Sequence, residues 1–220
     1  MFLIVIVLTF IASWLVRTWM MRTYDKWGAV QNAVGANGYQ VARHILDTND
    51  LQNVELEVSK GKLSDHYIPS KKLMRLSESI NNDASVASIA VAAHECGHAL
   101  QDKEGYSMLK LKAVMMPMAV LGNQFGLLLT VGGGLLGLPA LANIGLACIG
   151  LGMLMPVLTL PIEFDASKRA LEELQRLKLV DDKDYDGAKS MLVAAALTYV
   201  ASAMSSMAII GVFLLKFIKR

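Results

Sequence analysis

Between residues 113 and 161 the chain carries no charged side chain at all. One membrane crossing takes about 20 apolar residues. A block of about fifty therefore predicts a helical hairpin, with its turn where helix propensity collapses, at Gly132, Gly133, Gly134 and on to Pro139. Two more apolar runs flank it, 191–215 and 1–16, the latter interrupted only by Thr9 and Ser13. The N-terminal run lacks the basic start and small-residue cleavage site of a secretory signal and reads as an uncleaved anchor. At 54% hydrophobic and mean hydropathy +0.43, the chain is too apolar for an ordinary soluble domain.

Lysine and arginine set the expected orientation. Arg17, Arg22 and Lys26 follow the first run, Lys103, Lys110 and Lys112 precede the hairpin, and Lys168 and Arg169 follow it. The N-terminus is thus expected outside and residues 22–112 in the cytoplasm. Lys216, Lys219 and Arg220 are an exception, explained by snorkelling or by an incomplete last crossing. A net charge of +2 carries no nucleic-acid signature.

Within the cytoplasmic stretch, His94, Glu95 and His98 spell H-E-x-x-H. Helical side chains four apart lie one above the other, so both imidazoles reach one metal ion, with Glu95 beside its open position. This is the pattern of a zinc hydrolase, in which zinc lowers the pKa of a water to about 7 and a carboxylate takes the proton. Residues 84–93 just ahead are small and apolar, as in a buried helix, and Asn82 or Asp83 is placed to cap its start. Histidines at the end of such a run are poorly solvated without a partner, which favours a metal over a solvated face. Cys96 turns about 200° from the histidines and reads as packing. Cys96 and Cys148 fall in different environments, so no disulfide is expected. Gly97 leaves room for close backbone approach despite costing about 1 kcal/mol in a helix.

Upstream, residues 38–46 have helical spacing, 54–58 alternate as V-E-L-E-V, and 71–77 offer a second strand. The resulting short sheet offers an edge on which an extended peptide can add. Ser64, Asp65, His66 and Tyr67 form a polar cluster that reads equally as a surface loop or as part of a cleft. In a cleft, His66 is a catalytic candidate, a donor to a developing oxyanion. His44 has no neighbouring partner and reads as structural.

Catalytic zinc takes three protein ligands. The compact H-E-x-x-H-x-x-G-x-x-H spacing is absent, with Gln at 101 and Glu at 104. Glu163 is the better third ligand, because the hairpin returns the chain near Pro161 to the face it left after Lys112, and an acid just beyond an apolar span invites a functional reading. Asp165 is expected to accept from a histidine N–H, and Glu104 is next in line as a ligand.

HECGHALQ behind a small apolar helix, with G-K-L-S-D-H-Y upstream and E-F-D-A-S after a membrane hairpin, resembles the YugP-type membrane zinc metallopeptidases over nearly the whole chain. That family is similar in arrangement to the HtpX-like and CAAX-prenyl membrane peptidases. The resemblance implies His94, His98 and Glu163 as ligands of Zn2+, Glu95 as general base, and a bacterial plasma-membrane location. Two departures stand out. HtpX-like enzymes carry an Asp where this chain has Ser167, and YugP relatives often have an acid where it has Ile68.

Three other signals carry less. Gly132 to Gly137 match G-x-G-x-x-G, but no strand precedes them and no acid follows at the needed distance, so this is a turn. Gly122 and Gly126 form a small face suited to helix packing and to homo-oligomers. Leu171, Leu174 and Leu177 mark an amphipathic packing helix.

The expectation is a mostly α, four-span transmembrane helical protein with a small α+β cytoplasmic zincin-like domain. Its parts are span 1 (1–20), the zinc-binding domain (21–112), the hairpin (113–161), a cytoplasmic helix with the third ligand (162–189) and span 4 (190–216). Its expected activity is zinc endopeptidase, acting on peptides or membrane proteins at the bilayer, with no nucleic-acid partner. The rival is a non-proteolytic membrane scaffold with structural zinc, which would need a fourth protein ligand.

Overall fold

Apolar spacing and helix caps divide the chain into helices α1 (Phe2–Gly28), α2 (Gly38–Thr48), α3 (Glu78–Asn82), α4 (Val86–Lys103), α5 (Ser107–Leu135), α6 (Pro139–Arg176) and α7 (Asp182–Ile218), with strands β1 (Glu55–Ser59), β2 (His66–Ile68) and β3 (Leu73–Ser77). This is a computed structural model; it describes residues 2–218, without the side chains of residues 2, 3, 6, 118, 123 and 212–218. The side chains of Lys216, Lys219 and Arg220, the basic exception in the orientation argument, lie outside the described residues. The chain forms two units, one of Met1–Leu15, Ser107–Pro161 and Thr198–Arg220, the other of Val16–Tyr106 and Ile162–Leu197.

In the second unit, α2 and α4 share a core with the sheet. Val41, Ile45 and Leu46 of α2, Met74 and Leu76 of β3, and Ile89, Ala92 and Ala93 of α4 are buried together with Leu174 and Met191. Asn37 starts α2 with a capping box, its side chain accepting from Gln40 N while Gln40 Oε1 accepts from Asn37 N. The expected cap of the histidine helix is corrected. Asn82 and Asp83 end the separate turn α3, and Ser85 starts α4, its Oγ accepting from Ser88 N at 3.1 Å.

The sheet has order β1-β3-β2, with β1 parallel and β2 antiparallel to the central β3. β1 matches the alternating stretch one residue late. Its side chains stay largely at the surface, Val58 56% exposed, because β1 is an edge. The second strand begins at Leu73, since Pro69–Lys71 make a 3-10 turn and Lys72 adopts φ +48. The polar cluster is part strand, because His66 and Tyr67 pair with Arg75 and Met74.

In the other unit, α5 and α6 make the expected hairpin, with the turn at Leu136 to Leu138. Gly137 takes φ +66 and Leu138 N donates to Gly133 O at 2.8 Å, closing α5 as a Schellman cap. Gly132, Gly133 and Gly134 remain helical, against expectation. At Gly133 the reason is packing, since a Cβ there would lie 3.0 Å from Ala142 Cα. Gly122 and Gly126 are likewise filled from within the chain, by the backbone at Cys148 and by Gly145 and Ile149.

The span count is corrected. Among the described residues two helices, not four, are long and apolar enough to cross a membrane, Pro139–Arg176 and Asp182–Gly211. A third counts if Ser107–Gly122 and Gln124–Leu135, bent by 49°, act as one span. Pro117 and Gly122 weaken the α5 ladder ahead of that break. In α1 the start of the apolar run lies on residues whose side chains are not described, and Arg17, Arg22, Asp25 and Lys26 occupy its second half. Leu127, Leu128 and Leu135 are at least 68% exposed, an apolar surface suited to lipid rather than water.

Candidate metal centre

The site lies within the second unit, on α4 and the final turns of α6. The small residues before the histidines, from Val86 to Ala93, are almost all buried, so the α4 backbone sits close to its neighbours and carries its histidines inward. At Gly97 this approach is closest. A Cβ there would overlap the carbonyl of Ala166 on α6, three residues beyond Glu163. Glycine is required where two helix backbones meet in this way.

This contact brings Glu163 onto the histidines. Its Oε2 lies 3.3 Å from His94 Nε2 and 3.5 Å from His98 Nε2, and one ligating atom from each residue falls within 4.8 Å of the others. The Glu163 side chain is 3% exposed, the imidazoles 14% and 12%.

The outer nitrogens fix what the inner ones present. His98 Nδ1 is 3.0 Å from Gln101 Oε1, while Gln101 Nε2 donates to Ile162 O at 2.8 Å and to Asp165 Oδ2 at 2.9 Å. Both of those partners only accept, so the amide nitrogen must face them and Oε1 must take a proton from His98 Nδ1. His94 Nδ1 has Ser167 Oγ at 3.2 Å as its partner. A neutral His98 held this way turns its Nε2 lone pair on the Glu163 carboxylate, and His94 Nε2 faces the same oxygen. Two acceptors thus face each other at His98 and Glu163, which a shared cation or proton relieves. A divalent metal with nitrogen and oxygen ligands fits this donor set.

Glu95, next to His94 in sequence, is buried. Burial pushes its carboxyl up; His98 and His94 pull it down, and Asp65 and Glu163 add to the rise. Asp65 is held by Ser77, whose N and Oγ donate to its carboxylate at 2.6 and 3.1 Å. Burial also raises the Asp65 carboxyl, against those bonds. Burial alone would lower His98, but its bond to Glu163 and the charge of Glu95 outweigh it and the net shift is upward.

His66, by contrast, is exposed on β2 with Nδ1 2.7 Å from Ser64 O, and is not a member of the group. Glu104 is 56% exposed, pairs with Arg169 Nη1 at 2.7 Å and is not a member of the group of His94, His98 and Glu163. Asp165 accepts from Gln101 and from Arg169 Nε rather than from a histidine, so it acts one bond further out than expected. Ser167 stands against His94. Gln101 was visible in the sequence as a missing third histidine; its spacing of three from His98, which puts both on one helical face, was the signal for its support role.

The model of the family described as "putative neutral zinc metallopeptidase" matches residues 2–218. The chain belongs to that family. It is also 38% identical over 184 residues to the "Putative membrane protease YugP" of Bacillus subtilis (strain 168), covering 84% of this chain and 82% of that protein. No solved structure matches it. As a member of this family the chain is expected to use Zn2+, and the group of His94, His98 and Glu163 is the one among its described residues able to hold it.

Proposed function

We propose that this chain is an integral membrane zinc endopeptidase that cuts peptides or membrane proteins at the cytoplasmic surface of a bacterial plasma membrane. The observation that carries the reading is the convergence of three potential ligand atoms, His94 Nε2, His98 Nε2 and Glu163 Oε2, with the buried carboxyl of Glu95 close by. Bound zinc would supply Lewis-acid polarisation of a peptide carbonyl and a water with pKa near about 7.

His94, His98 and Glu163 would hold the ion, with Gln101 keeping the His98 Nε2 lone pair turned inward and Ser167 standing against His94 Nδ1. Glu95 takes the proton from the attacking water and passes it to the leaving amide nitrogen. A carboxyl raised by burial suits both steps, since it accepts and releases near neutral pH more readily than a solvated one. The unpaired side of β2, a strand that touches α4, is the edge on which an extended substrate adds. His66 on that strand is the proposed oxyanion donor, reaching the substrate from the exposed side.

A structural zinc site closes with four protein ligands, and among the described residues this group has three. The test compares zinc stoichiometry and casein cleavage in wild type and Glu95→Gln. The expected result is equal zinc with cleavage lost in the variant. Zinc bound by both, with no cleavage of casein or unfolded membrane proteins by either, returns the chain to the scaffold class.

A further inference from the structure

Side chains alternate across a strand. Tyr67 of β2 and Met74 of β3 face the shared core, so His66 and Ile68, with their partners Arg75 and Leu73, face the other way. Two rows cross that outward face. One is polar and consists of Glu57, Arg75 and His66, with Arg75 Nε 3.0 Å from Glu57 Oε2. The other turns apolar toward the free edge, running Glu55, Leu73, Ile68, with Leu73 buried and Ile68 half-buried. A strand added to β2 extends each row by one residue, and the residue opposite Ile68 meets an isoleucine backed by a leucine.

Contacts at both ends of the β2–β3 hairpin fix where this position lies relative to the metal centre. Asp65, just before β2, is close enough for its charge to be felt at Glu95. Further along, Tyr67 Oη donates to Asp102 Oδ2 at 2.8 Å, and Lys72 Nζ donates to the same oxygen at 2.6 Å. Asp102 lies seven residues beyond Glu95 on α4, about 10 Å along the helix at 1.5 Å per residue. β2 therefore runs from the Glu95 level of the helix toward its C-terminus, with His66 nearer Glu95 and Ile68 farther away. The strand stops at Ile68 because Pro69 opens a 3-10 turn and has no N–H for further pairing. Antiparallel addition is the slightly more stable pairing, and a substrate lying antiparallel to β2 passes Ile68 before it reaches Glu95.

On the reading of β2 as the substrate edge, we propose that Ile68 is a specificity-determining residue, which selects a β-branched or aromatic side chain at the substrate position opposite it, on the amino-terminal side of the cut bond. Cross-strand pairs of this kind, and opposite charges set directly across from each other, are each worth up to about fivefold in an equilibrium constant. Edge strands accommodate charged side chains, so replacing Ile68 by a charge changes what the edge selects before it changes the fold.

The test uses the full-length, zinc-loaded protein in mild detergent and a library of decapeptides randomised at every position, with cut sites read by mass spectrometry. Wild type should favour Val, Ile, Tyr and Phe about threefold at one position on the amino-terminal side of the cut. Ile68→Glu should move the preference at that position to Lys and Arg, and Ile68→Lys to Asp and Glu, each by about three- to fivefold, while Ile68→Val keeps the wild-type profile. Zinc content identical to wild type marks each variant as folded. A uniform fall in cleavage of all peptides, the mark of a merely structural role, overturns the proposal, as does a switch confined to the carboxyl-terminal side. Retention of the same library by Glu95→Gln, with and without Ile68→Glu, separates this failure from that of the endopeptidase reading. No cleavage by wild type, with retained peptides still changing from apolar to basic, overturns the endopeptidase reading and supports Ile68 as the selecting residue. Cleavage with no preference that depends on Ile68 overturns the role of Ile68 alone, and absence of both cleavage and selective retention overturns both.

Discussion

Gly97 on α4 faces Ala166 on α6 so closely that a Cβ on the glycine would stand 3.0 Å from the alanine Cα and overlap its carbonyl. The spacing between these two backbones sets how far Glu163 reaches toward His94 and His98. Gly97→Ala must push α6 outward, at a cost of about 1–3 kcal/mol in stability. Zinc affinity, measured by chelator competition, should fall at least about tenfold, since ligand geometry tolerates only a few tenths of an ångström. Wild-type affinity in this variant would mean that the helix contact does not position Glu163.

Gln101 is the partner that orients His98. Gln101→Leu removes the acceptor for Nδ1–H while leaving side-chain volume nearly unchanged. Loss of such a supporting partner costs about 10–100-fold in metal affinity. Asp165→Asn, one bond further out, should cost less. The order of the two, read in one competition assay, checks the direction of the relay.

Glu163→Gln should weaken zinc binding by far more than Glu104→Gln, because Glu104 is held at the surface by Arg169. Isothermal titration of the two variants separates them. Equal losses, or a larger loss at Glu104, would move the third ligand.

The pH dependence follows from His98. In the metal-free protein its proton is held above the ordinary histidine range by Glu163 and Glu95, against the effect of burial. That proton stabilises the fold below the unfolded pKa, and the contribution is lost as pH rises through the folded one. Zinc needs the same nitrogen deprotonated, so its stabilisation grows over the same interval. The zinc-induced rise in Tm should therefore increase from about pH 6 to about pH 8, and the increase should shrink in Glu163→Gln. A pH-independent rise in Tm would remove His98 from the ligand set.

Much of this was legible in the sequence because it depends on local period and spacing. His94 and His98 share a face by helical arithmetic, the α5–α6 hairpin follows from an unbroken apolar block, and Glu163 follows from where that hairpin must return. What escaped depends on tertiary contacts. Ser85 replaces Asn82 and Asp83 as the cap because α3 uses those residues for its own end. Gly133 stays helical because packing at Ala142 overrides propensity. Asp165 turns to Gln101 instead of a histidine because a neighbouring amide, invisible as a ligand-type residue, lies between them.

The distance along the chain between His98 and Glu163, 65 residues containing the whole of α5 and most of α6, has a consequence for biosynthesis. A nascent chain emerges with Gly97 and both histidines in place long before Glu163 exists. Until the hairpin is made and α6 folds against α4, the histidine helix has no carboxylate partner and no complete set of metal donors. The enzyme reading thus carries its own timer, since a truncated or half-translated chain displays the motif without the means to cut its neighbours.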